Sequence, residues 1–496
     1  MKQIFDDFVS KKSTPLYKIE GATGKYIIFT NLLWGDGVKI LDPNEDDKGR
    51  IKVKARNKTG WVSKSALGGK SLLEFYFIDV GQGDGILIKT PSFKHIMIDG
   101  GNPRKYQDTK KNAADFVDWK FKKDYGLDHI DLDVMIASHC DIDHYGGLND
   151  LLDVAQTEEL DTKSISVESF YHAGLSHWLK NGKPGLGAYK EHNNQTFWTQ
   201  LLEDRAHALK VTKVGSDNVL KEPWKGFIKA VTNTKKRDGT ETDIQRLSHL
   251  SGHLPAFENK TKDNPSIKVL GPVEFDLNGT PSLRRFDKGD KSKNTNGVSL
   301  LLRIDYGKVR VLLTGDLNRA SQHALLEDYK GKESEFACDV CKACHHGSDD
   351  ISYKFLQTIN AGATVISSGD NENYDHPRPS IIGASATTGY LELDAKKDTL
   401  ITPLVYSTEL ARSIALGSLT KIDLSADHSN QTIPNNALEQ ATFFIDSKQE
   451  VHYKPKVVKN LIYGLVNVRT DGKRILCATL DEQSSNWKIK EFESRF

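Results

Sequence analysis

Near-continuous apolar segments, most of which end in an aspartate or a histidine, constrain the fold of this 496-residue chain more than any other feature. Such runs are typical of strands buried on both faces. Between two of them, the segment NAADFVDWKFKKDYG has the pattern of a helix. Strands mixed with helices predict a layered α/β domain. The apolar runs are EFYFIDV, GILIKT, HIMIDGG, LDVMIAS, VSLLLRI, VRVLLTGD, VCKACHH and ATVISSGD.

The carboxyl ends of several of these runs carry side chains that bind divalent metal ions. α/β folds usually hold their sites at strand ends, and His and Asp bind hard to borderline divalent ions. Four such residues occur within six positions, which is a much higher density than expected by chance. We therefore predict that the strand ends converge on one metal site. The candidates are His139, Asp141, Asp143, His144, Asp316, His345, His346 and His376.

The motifs around these residues resemble those of the metallo-β-lactamase fold. His-x-Asp-x-Asp-His followed by Gly-Gly is similar to that family's HxHxDH motif, with Asp141 in place of the second histidine. The likeness is sharper to the soluble hydrolase domain of the bacterial competence protein ComEC, over about residues 73 to 380. It implies a four-layer αββα fold. The motifs that carry it, in the same order, are FIDVGQGDG, IMIDGG, SHCDIDHYGGL, NTNGVSLLLRIDYGKVRVLLTGD, HHGS and NENYDHP.

The resemblance implies two divalent metal ions as cofactors, either Zn²⁺ or Mn²⁺, with Mg²⁺ as a further candidate. Asp143 and His144 would bind one ion, and His139 and Asp141 would bind the other. Asp316 would bridge the pair. Two ions at this spacing activate a water molecule and hold both the attacking and the leaving oxygens of a phosphodiester.

Three histidines later in the chain match positions close to the metals. His376 would complete the metal shell, and we expect His346 near the metal ions. Either His345 or His346 would protonate the leaving alkoxide, and the sequence does not choose between them. Asp143 joins them as a catalytic candidate.

One departure from the family concerns the stretch before the strand that leads to Asp316. Typical members carry a histidine ligand there, whereas this chain reads NTNGVS and offers only Asn294 and Asn296. An oxygen-rich site shifts the preference from zinc toward manganese or magnesium. His172 is a substitute ligand only as a minor alternative. We expect Asp79 and Asp99 to support the site rather than to bind metal. The further matches to family positions are Asp79, Gln82, Asp84 and Asp99.

Composition shifts divide the chain into three regions. Residues 1–70 predict a small β-barrel domain, and IKVKARNKTGWVSKSALGG resembles bacterial Src-homology-3-like domains. Residues 71–390 would form the metallo-β-lactamase domain, with a long insertion at about 155–290. The β-rich region 391–496 would complete or flank that domain.

Five cations in the N-terminal region alternate with apolar residues. A strand would place all five on one face. This face is either solvated or a contact surface for the phosphate backbone of nucleic acid. A protein partner for the domain is a further alternative. The cations are Arg50, Lys52, Lys54, Arg56 and Lys58.

The five cysteines are too few and too scattered to predict a disulfide framework. Cys341 and Cys344 form a CxxC pair, but no second pair completes a zinc site. Alternation along a strand would turn Cys341 away from Cys338 and Cys344. We predict that these three pack as small buried hydrophobes.

The function that these features favour is a metal-dependent hydrolase, specifically a phosphodiesterase or nuclease that acts on DNA. The net charge of +1 neither supports nor excludes a nucleic-acid partner. No apolar run is long enough to span a bilayer, so we expect a cytoplasmic protein without membrane contact, such as a bacterial defence effector. One alternative is a hydrolase of a small ester, lactone or nucleotide. Another is a binding module with a vestigial metal site.

Overall fold

The structure is a computed structural model. It describes residues 4–21, 23–107, 111–153, 160–213, 218–369, 376–408, 414–416, 421–423, 432–434, 458–461, 465–481 and 486–496. The first six strands are β1 (Asp7–Phe8), β2 (Ser13–Ile19), β3 (Tyr26–Leu33), β4 (Gly37–Asp42), β5 (Arg50–Ala55) and β6 (Lys58–Ser63). The next elements are β7 (Leu73–Ile78), β8 (Ile86–Lys89), β9 (His95–Ile98), α1 (Ala113–Trp119), β10 (His129–Ala137) and α2 (Ile142–Leu152).

The middle of the chain consists of short strands and two helices. They are β11 (Ser164–His172), β12 (Trp178–Lys180), β13 (Lys183–Gly185), β14 (Tyr189–His192), β15 (Gln195–Trp198), α3 (Arg205–Val211), β16 (Asn218–Leu220), α4 (Trp224–Asn233), β17 (Asp243–Arg246), β18 (Ser266–Gly271), β19 (Glu274–Asp276) and β20 (Pro281–Arg284).

Buried strands and helices then alternate before a β-rich end. They are α5 (Lys291–Gly297), β21 (Leu301–Tyr306), β22 (Val309–Leu313), α6 (Arg319–Asp328), β23 (Val340–Lys342), α7 (Tyr353–Ile359), β24 (Ala363–Ile366) and α8 (Pro379–Thr388). The last strands are β25 (Glu392–Asp394), β26 (Thr399–Thr402), β27 (Leu404–Ser407), β28 (Ile414–Leu416), β29 (Lys421–Asp423), β30 (Thr432–Pro434), β31 (Val458–Leu461), β32 (Leu465–Thr470), β33 (Arg474–Asp481) and β34 (Asn486–Glu493).

Two large sheets pack face to face at the centre of the molecule. One has the order β17-β11-β10-β9-β8-β7-β32-β33-β34, and the other has the order β18-β21-β22-β23-β24-β27. A single buried cluster joins their inner faces, with Phe75 and Val134 from the first sheet and Val311 and Val365 from the second. Each predicted apolar run forms one of these strands, as expected for strands covered on both sides.

Helices cover the outer face of each sheet. Phe116 of α1, Leu148 of α2 and Phe227 of α4 belong to the core outside the nine-stranded sheet. Leu325 of α6 and Phe355 of α7 belong to the core outside the six-stranded sheet. Helix, sheet, sheet and helix are the four layers that the αββα prediction describes. The predicted helix α1 begins at Asn112, whose side chain forms a capping box with Asp115.

The N-terminal region forms an open antiparallel sheet, so the predicted barrel is wrong. The strand order is β1-β4-β5-β6-β2-β3, and β1 and β3 do not pair across the described residues. β1 is only two residues long and pairs with β4. The outer edge of β3 instead contacts the C-terminal strand, where Trp487 donates from Nε1 to the Asn31 carbonyl oxygen at 2.8 Å.

The prediction that one strand face carries all five N-terminal cations is also wrong. β5 ends at Ala55, and Arg56 lies in the turn to β6 with a φ of 47°. The Arg50 guanidinium is buried over the Tyr26 ring at 3.5 Å and pairs with Asp46. Lys52 and Lys54 do lie opposite the buried side chains of Ile51 and Val53. The alternation therefore holds only within β5.

Residues 155–290 contribute strands to both central sheets as well as smaller sheets of their own. β11 pairs in parallel with β10, and β17 pairs with β11, so both extend the nine-stranded sheet. β18 pairs with β21 at the edge of the six-stranded sheet. The C-terminal strand β32 pairs with β7. The hairpin of β32 and β33 turns at Asp471 and Gly472, where Gly472 has a φ of 92°.

All five cysteines are free and buried, as predicted for small apolar side chains. The predicted orientation of Cys341 is wrong, because it lies in the same core cluster as Cys338 and Cys344. β23 is only three residues long, so Cys338 precedes the strand and strand alternation does not apply to it. Among the described residues, none of the helices is long and apolar enough to cross a membrane.

Candidate metal centre

The loop after β10 presents the first ligand candidates. A hydrogen bond holds its backbone in place, because the Ser138 amide donates to Asp99 Oδ1 at 2.7 Å. Asp141 occupies the N-cap position of α2 without a side-chain capping bond, which leaves its carboxylate free to face the site, and Asp143 and His144 lie in the first turn. Gly147 allows this helix to lie against the end of β9, since a Cβ there would collide with the Gly100 carbonyl. The missing side chain at Gly147 therefore lets α2 approach the end of β9 closely.

Three side chains from separate strand ends meet at the centre of the cluster. His144 Nε2 lies 3.2 Å from Asp316 Oδ2, and His346 Nε2 lies 2.7 Å from the same oxygen. The two Nε2 atoms are 3.2 Å apart. Asp143 Oδ2 lies 3.9 Å from His346 Nε2. The structure therefore brings together residues that are far apart in the sequence, around Asp316.

His139 and Asp141 form a second group next to this one. His139 Nδ1 contacts Ser138 Oγ at 3.1 Å and Ser299 Oγ at 3.2 Å, while its Nε2 lies 3.7 Å from Asp141 Oδ2. Potential ligand atoms of His139, His144 and Asp316 all lie within 4.8 Å of one another. Asp316 thus adjoins both groups, which is the geometry that a bridging carboxylate requires.

Asn296 fills the place where the family carries a histidine. With its amide nitrogen turned toward the site, it lies 3.2 Å from both His139 Nε2 and Asp141 Oδ2. Asn294 does not reach the site, because its Oδ1 accepts from the Phe286 amide at 2.8 Å. His172 is buried at the end of β11, where its Nδ1 accepts from the Gly174 amide.

The other two histidines lie at the rim of the cluster. His345 Nε2 is 4.0 Å from Asp316 Oδ2, farther than His346 Nε2, and donates to the side-chain oxygen of Asn296 at 3.2 Å in the same amide orientation. The His376 ring centroid lies 5.9 Å from that of His345, and His376 lines the same cavity. The geometry separates the paired histidines: His346 is central and His345 is peripheral.

The buried residues Asp99, Asp84 and Lys342 support the central side chains from behind. Asp99 Oδ2 lies 2.9 Å from His144 Nδ1, which fixes that ring. Asp84 Oδ1 lies 3.2 Å from His346 Nδ1. The Lys342 ammonium is fully buried, pairs with Asp84, and lies 3.5 Å from Asp316 Oδ1. Asp79 accepts from the Gly81 amide, and Gln82 donates to Asp143 Oδ2 at 3.1 Å.

Sequence reasoning missed two members of the site, Lys342 and His177. Lys342 lies within VCKACHH, where a lysine inside a buried strand is itself a signal, since buried lysines are rare unless paired. His177 comes from the loop between β11 and β12, and its Nε2 lies 3.3 Å from Asp141 Oδ1. No local motif marks His177.

Burial and charge shift the pKa values in this cluster strongly. Burial alone would lower the pKa of His346, but the carboxylates of Asp316 and Asp84 raise it to about 10. Burial would likewise raise the pKa of Asp316, yet His346 and His144 hold it well below its usual range. Burial lowers the pKa of His376 to about 4, and the His346 charge acts in the same direction. Strong perturbation at one cluster in a cavity is typical of functional sites.

The donor set fits divalent metal ions. Ligands about 2.0–2.2 Å from a tetrahedral ion lie roughly 3.3–3.6 Å apart, and His144 Nε2 lies 3.2 Å from both Asp316 Oδ2 and His346 Nε2. The 2.7 Å between His346 Nε2 and Asp316 Oδ2 is instead the length of a direct hydrogen bond. The buried atom His345 Nδ1 has no hydrogen-bond partner among the described residues. Buried polar atoms without partners need an explanation, and a metal site supplies one.

A cavity of about 640 Å³ opens onto the cluster. Its wall includes Tyr145 and Trp224, and its lining includes the cations Lys221 and Arg378. Lys221 and Trp224 come from the middle of the chain, whereas Arg378 precedes α8. The cavity thus combines a metal-binding floor with positive charge and aromatic surface.

Residues 78–202 match a family model described as the metallo-beta-lactamase superfamily. The match begins at the end of β7 and includes His139, Asp141, Asp143 and His144. The chain has a metallo-β-lactamase fold. The layers, the strand-end cluster and this match agree on it.

Two curated relatives match short parts of the chain. ComE operon protein 3 of Bacillus subtilis is 30% identical over 88 residues, which are 18% of this chain and 11% of that protein. Competence protein ComA of Neisseria gonorrhoeae is 33% identical over 92 residues, which are 18% of this chain and 13% of that protein. The matched parts are thus small fractions of both relatives.

Several solved structures are similar at low sequence identity. The metallo-beta-lactamase fold protein YhfI from Bacillus subtilis is 11% identical with a TM-score of 0.31, over 67% of this chain and 96% of that one. Tm1679, a metal-dependent hydrolase of the beta-lactamase superfamily, is 11% identical with a TM-score of 0.30, over 67% and 95%. A diphosphatase of the PhnP family is 12% identical with a TM-score of 0.27, over 60% and 88%. Scores of this size carry no argument about function.

Proposed function

We propose that the chain is a metal-dependent phosphodiesterase, specifically a nuclease that acts on DNA. The observation that carries the proposal is the position of Asp316, whose Oδ2 contacts His144 and His346 while Asp143 and His139 lie on either side. This arrangement favours two adjacent divalent ions. When bound, such ions supply Lewis acidity for the attacking water and for the phosphodiester oxygens.

The surrounding residues support a phosphate substrate. Lys221 and Arg378 line the cavity and would attract the phosphate. His345 lies at the cavity rim, where its ring is partly exposed, whereas the His346 ring is buried. It is therefore better placed than His346, which contacts Asp316 and Asp84, to exchange a proton with a leaving alkoxide.

The cavity also favours a second candidate, a hydrolase of a small ester, lactone or nucleotide. The middle region supplies Lys221 and Trp224 to its wall, so one small substrate would be largely enclosed. Both candidates use the same cluster. They differ in the size of the substrate: the nuclease binds a long DNA strand at the site, whereas the second enzyme binds one small molecule.

A substrate and metal screen distinguishes these candidates. The purified chain is stripped with EDTA, reloaded with Mn²⁺, Mg²⁺ or Zn²⁺, and given single- and double-stranded DNA, RNA, bis(p-nitrophenyl) phosphate and p-nitrophenyl acetate. We expect metal-dependent cleavage of DNA and of the small phosphodiester. Hydrolysis of the acetate alone would favour the second candidate. Metal binding without any hydrolysis would leave a binding module.

A further inference from the structure

A second group of metal-binding side chains lies beside the cluster around Asp316. Ligand atoms of Cys140, Asp141 and His177 all lie within 4.8 Å of one another. His177 Nε2 lies 3.3 Å from Asp141 Oδ1, on the side of the carboxylate opposite to His139. Ligands on one tetrahedral zinc ion lie roughly 3.3–3.6 Å apart. The nitrogen and the oxygen form a hydrogen bond with each other, and their separation is also the one that a shared ion requires.

The backbone fixes all three residues in place. Cys140 is buried between His139 and the start of α2. His177 lies between Ser176 and Trp178, both buried, and its carbonyl oxygen accepts from the Lys221 amide at 2.8 Å. Asp141 Oδ2 accepts from Thr295 Oγ1 at 2.8 Å, which leaves Oδ1 directed at His177. A metal ion would thus find its ligands preorganised.

We propose that Cys140, Asp141 and His177 form an additional zinc site at the rim of the cluster. A thiolate, an imidazole and a carboxylate make a softer set than the oxygen-rich group around His139 and Asn296, so this site selects zinc over manganese and magnesium. Binding displaces the proton of the Cys140 thiol into solvent, and the carboxylate keeps its charge. All three residues line the cavity, so the open fourth position faces the substrate space.

Asp141 is shared between the new site and the metal centre on which the proposed function depends. Its Oδ2 faces His139 and its Oδ1 faces His177, so one carboxylate serves both groups. The inference therefore rests in part on the proposed metal centre. Cys140 and His177, however, belong to the new site alone, and variants of them test it separately.

The experiment measures cobalt and zinc binding to the full chain after removal of metal with EDTA. Cobalt bound to a thiolate gives a charge-transfer absorption band in the near ultraviolet. We expect this band in the unmodified protein and its loss in Cys140→Ser. We also expect Cys140→Ser and His177→Gln each to bind one zinc ion fewer per chain by mass spectrometry. Cys344→Ser is the matched control, a buried cysteine in another core, and should keep both the band and the zinc.

Three outcomes would overturn the proposal: no thiolate band in the unmodified protein, a band that persists in Cys140→Ser, or an unchanged zinc count in both variants. Circular dichroism confirms folding, and His177→Gln at a half-buried loop position tests the site even if Cys140→Ser fails to fold. The proposed nuclease is tested apart from this site. A thiolate band without DNA hydrolysis contradicts the nuclease alone, and hydrolysis without a band contradicts the zinc site alone.

Discussion

Two buried groups of charged residues differ in how completely their charges are paired. In the metal cluster, two imidazoles share one carboxylate oxygen, because Asp316 Oδ2 lies 3.2 Å from His144 Nε2 and 2.7 Å from His346 Nε2. The buried His345 Nδ1 has no hydrogen-bond partner among the described residues. The other group, around Glu74, links the N-terminal sheet to the nine-stranded sheet. There, Arg469 Nη1 lies 2.8 Å from Asp36 Oδ1, and Lys89 Nζ lies 2.7 Å from Glu74 Oε1.

The comparison shows that burial of charge alone does not mark a functional site. The central side chains of both groups are buried, but the Glu74 network satisfies each cation with a carboxylate or a carbonyl, including the Trp34 carbonyl at 2.6 Å from Arg469. In the metal cluster, by contrast, ligand atoms of the same kind lie close together, such as the Nε2 atoms of His144 and His346. A structural network is complete without a ligand, whereas a binding site needs one.

The largest effect is expected on catalysis from Asp143→Ala or His144→Ala. Each removes a ligand of the same proposed ion, so hydrolysis should fall below detection while bound metal decreases. Activity, metal content and circular dichroism are the measurements, and Asp128→Ala at an exposed position is the control. Full activity with unchanged metal content in either variant would rule out the assigned roles.

The next effect is on stability, from Glu74→Ala in the paired network. Lys89 would be left buried without its carboxylate, and Arg469 would keep only the Asp36 carboxylate of its two, which should cost about 3–5 kcal/mol of unfolding free energy. Denaturant titration measures this cost, and Glu45→Ala in the exposed pair with Lys64 should cost no more than about 1 kcal/mol. Equal costs in the two variants would contradict a structural role for the network.

The same network predicts a pH dependence of stability. Burial alone would raise the pKa of Glu74, but the surrounding cations, led by Arg469 and Lys89, lower it below its ordinary value. Its stabilising effect is therefore fully present above the unfolded-state pKa of about 4.3 and is lost as pH falls through the folded-state value. Unfolding measured between neutral and acidic pH should show a shallower pH dependence in Glu74→Gln than in the unmodified protein.

A smaller effect, on metal affinity, is expected from Lys342→Met. This variant gives the most direct comparison between the metal cluster and the Glu74 network. Without its ammonium, Asp84 and Asp316 would lose the cation that holds them in place, and metal affinity should fall about 10–100-fold. Lys89→Met, the matched change in the paired network, should lower stability and leave metal affinity unchanged. If both variants behaved alike in metal titrations, Lys342 would have no specific role in the site.

The smallest effect is expected from Lys52→Gln combined with Lys54→Gln. Arg50 and Arg56 already pair with Asp46 and Asp36, which favours a solvated face over a phosphate contact. We therefore expect the salt dependence of DNA binding to stay unchanged in the double variant. A slope flatter by roughly 0.9 log units per lost duplex contact would instead assign these lysines to the phosphate backbone.

The sequence alone predicted the layers and the central ligand candidates, because both are local patterns. Apolar runs identify strands buried on two sides, and a dense ligand motif after β10 needs no partner to be visible. The αββα arrangement followed from the resemblance of these motifs to a known fold. The metal ions themselves, the DNA substrate and the protein partner stay predictions.

Only the tertiary structure decided which side chains complete the site and how the edges of sheets are used. Asn296 rather than Asn294 reaches His139, and His177 meets Asp141, because α5 and the short connection between β11 and β12 both lie against the end of β10. The N-terminal sheet stays open because β3 contacts Trp487, which lies more than four hundred residues away in the chain. Spacing along the chain carries no information about contacts of this kind, since they depend on how separate elements pack together.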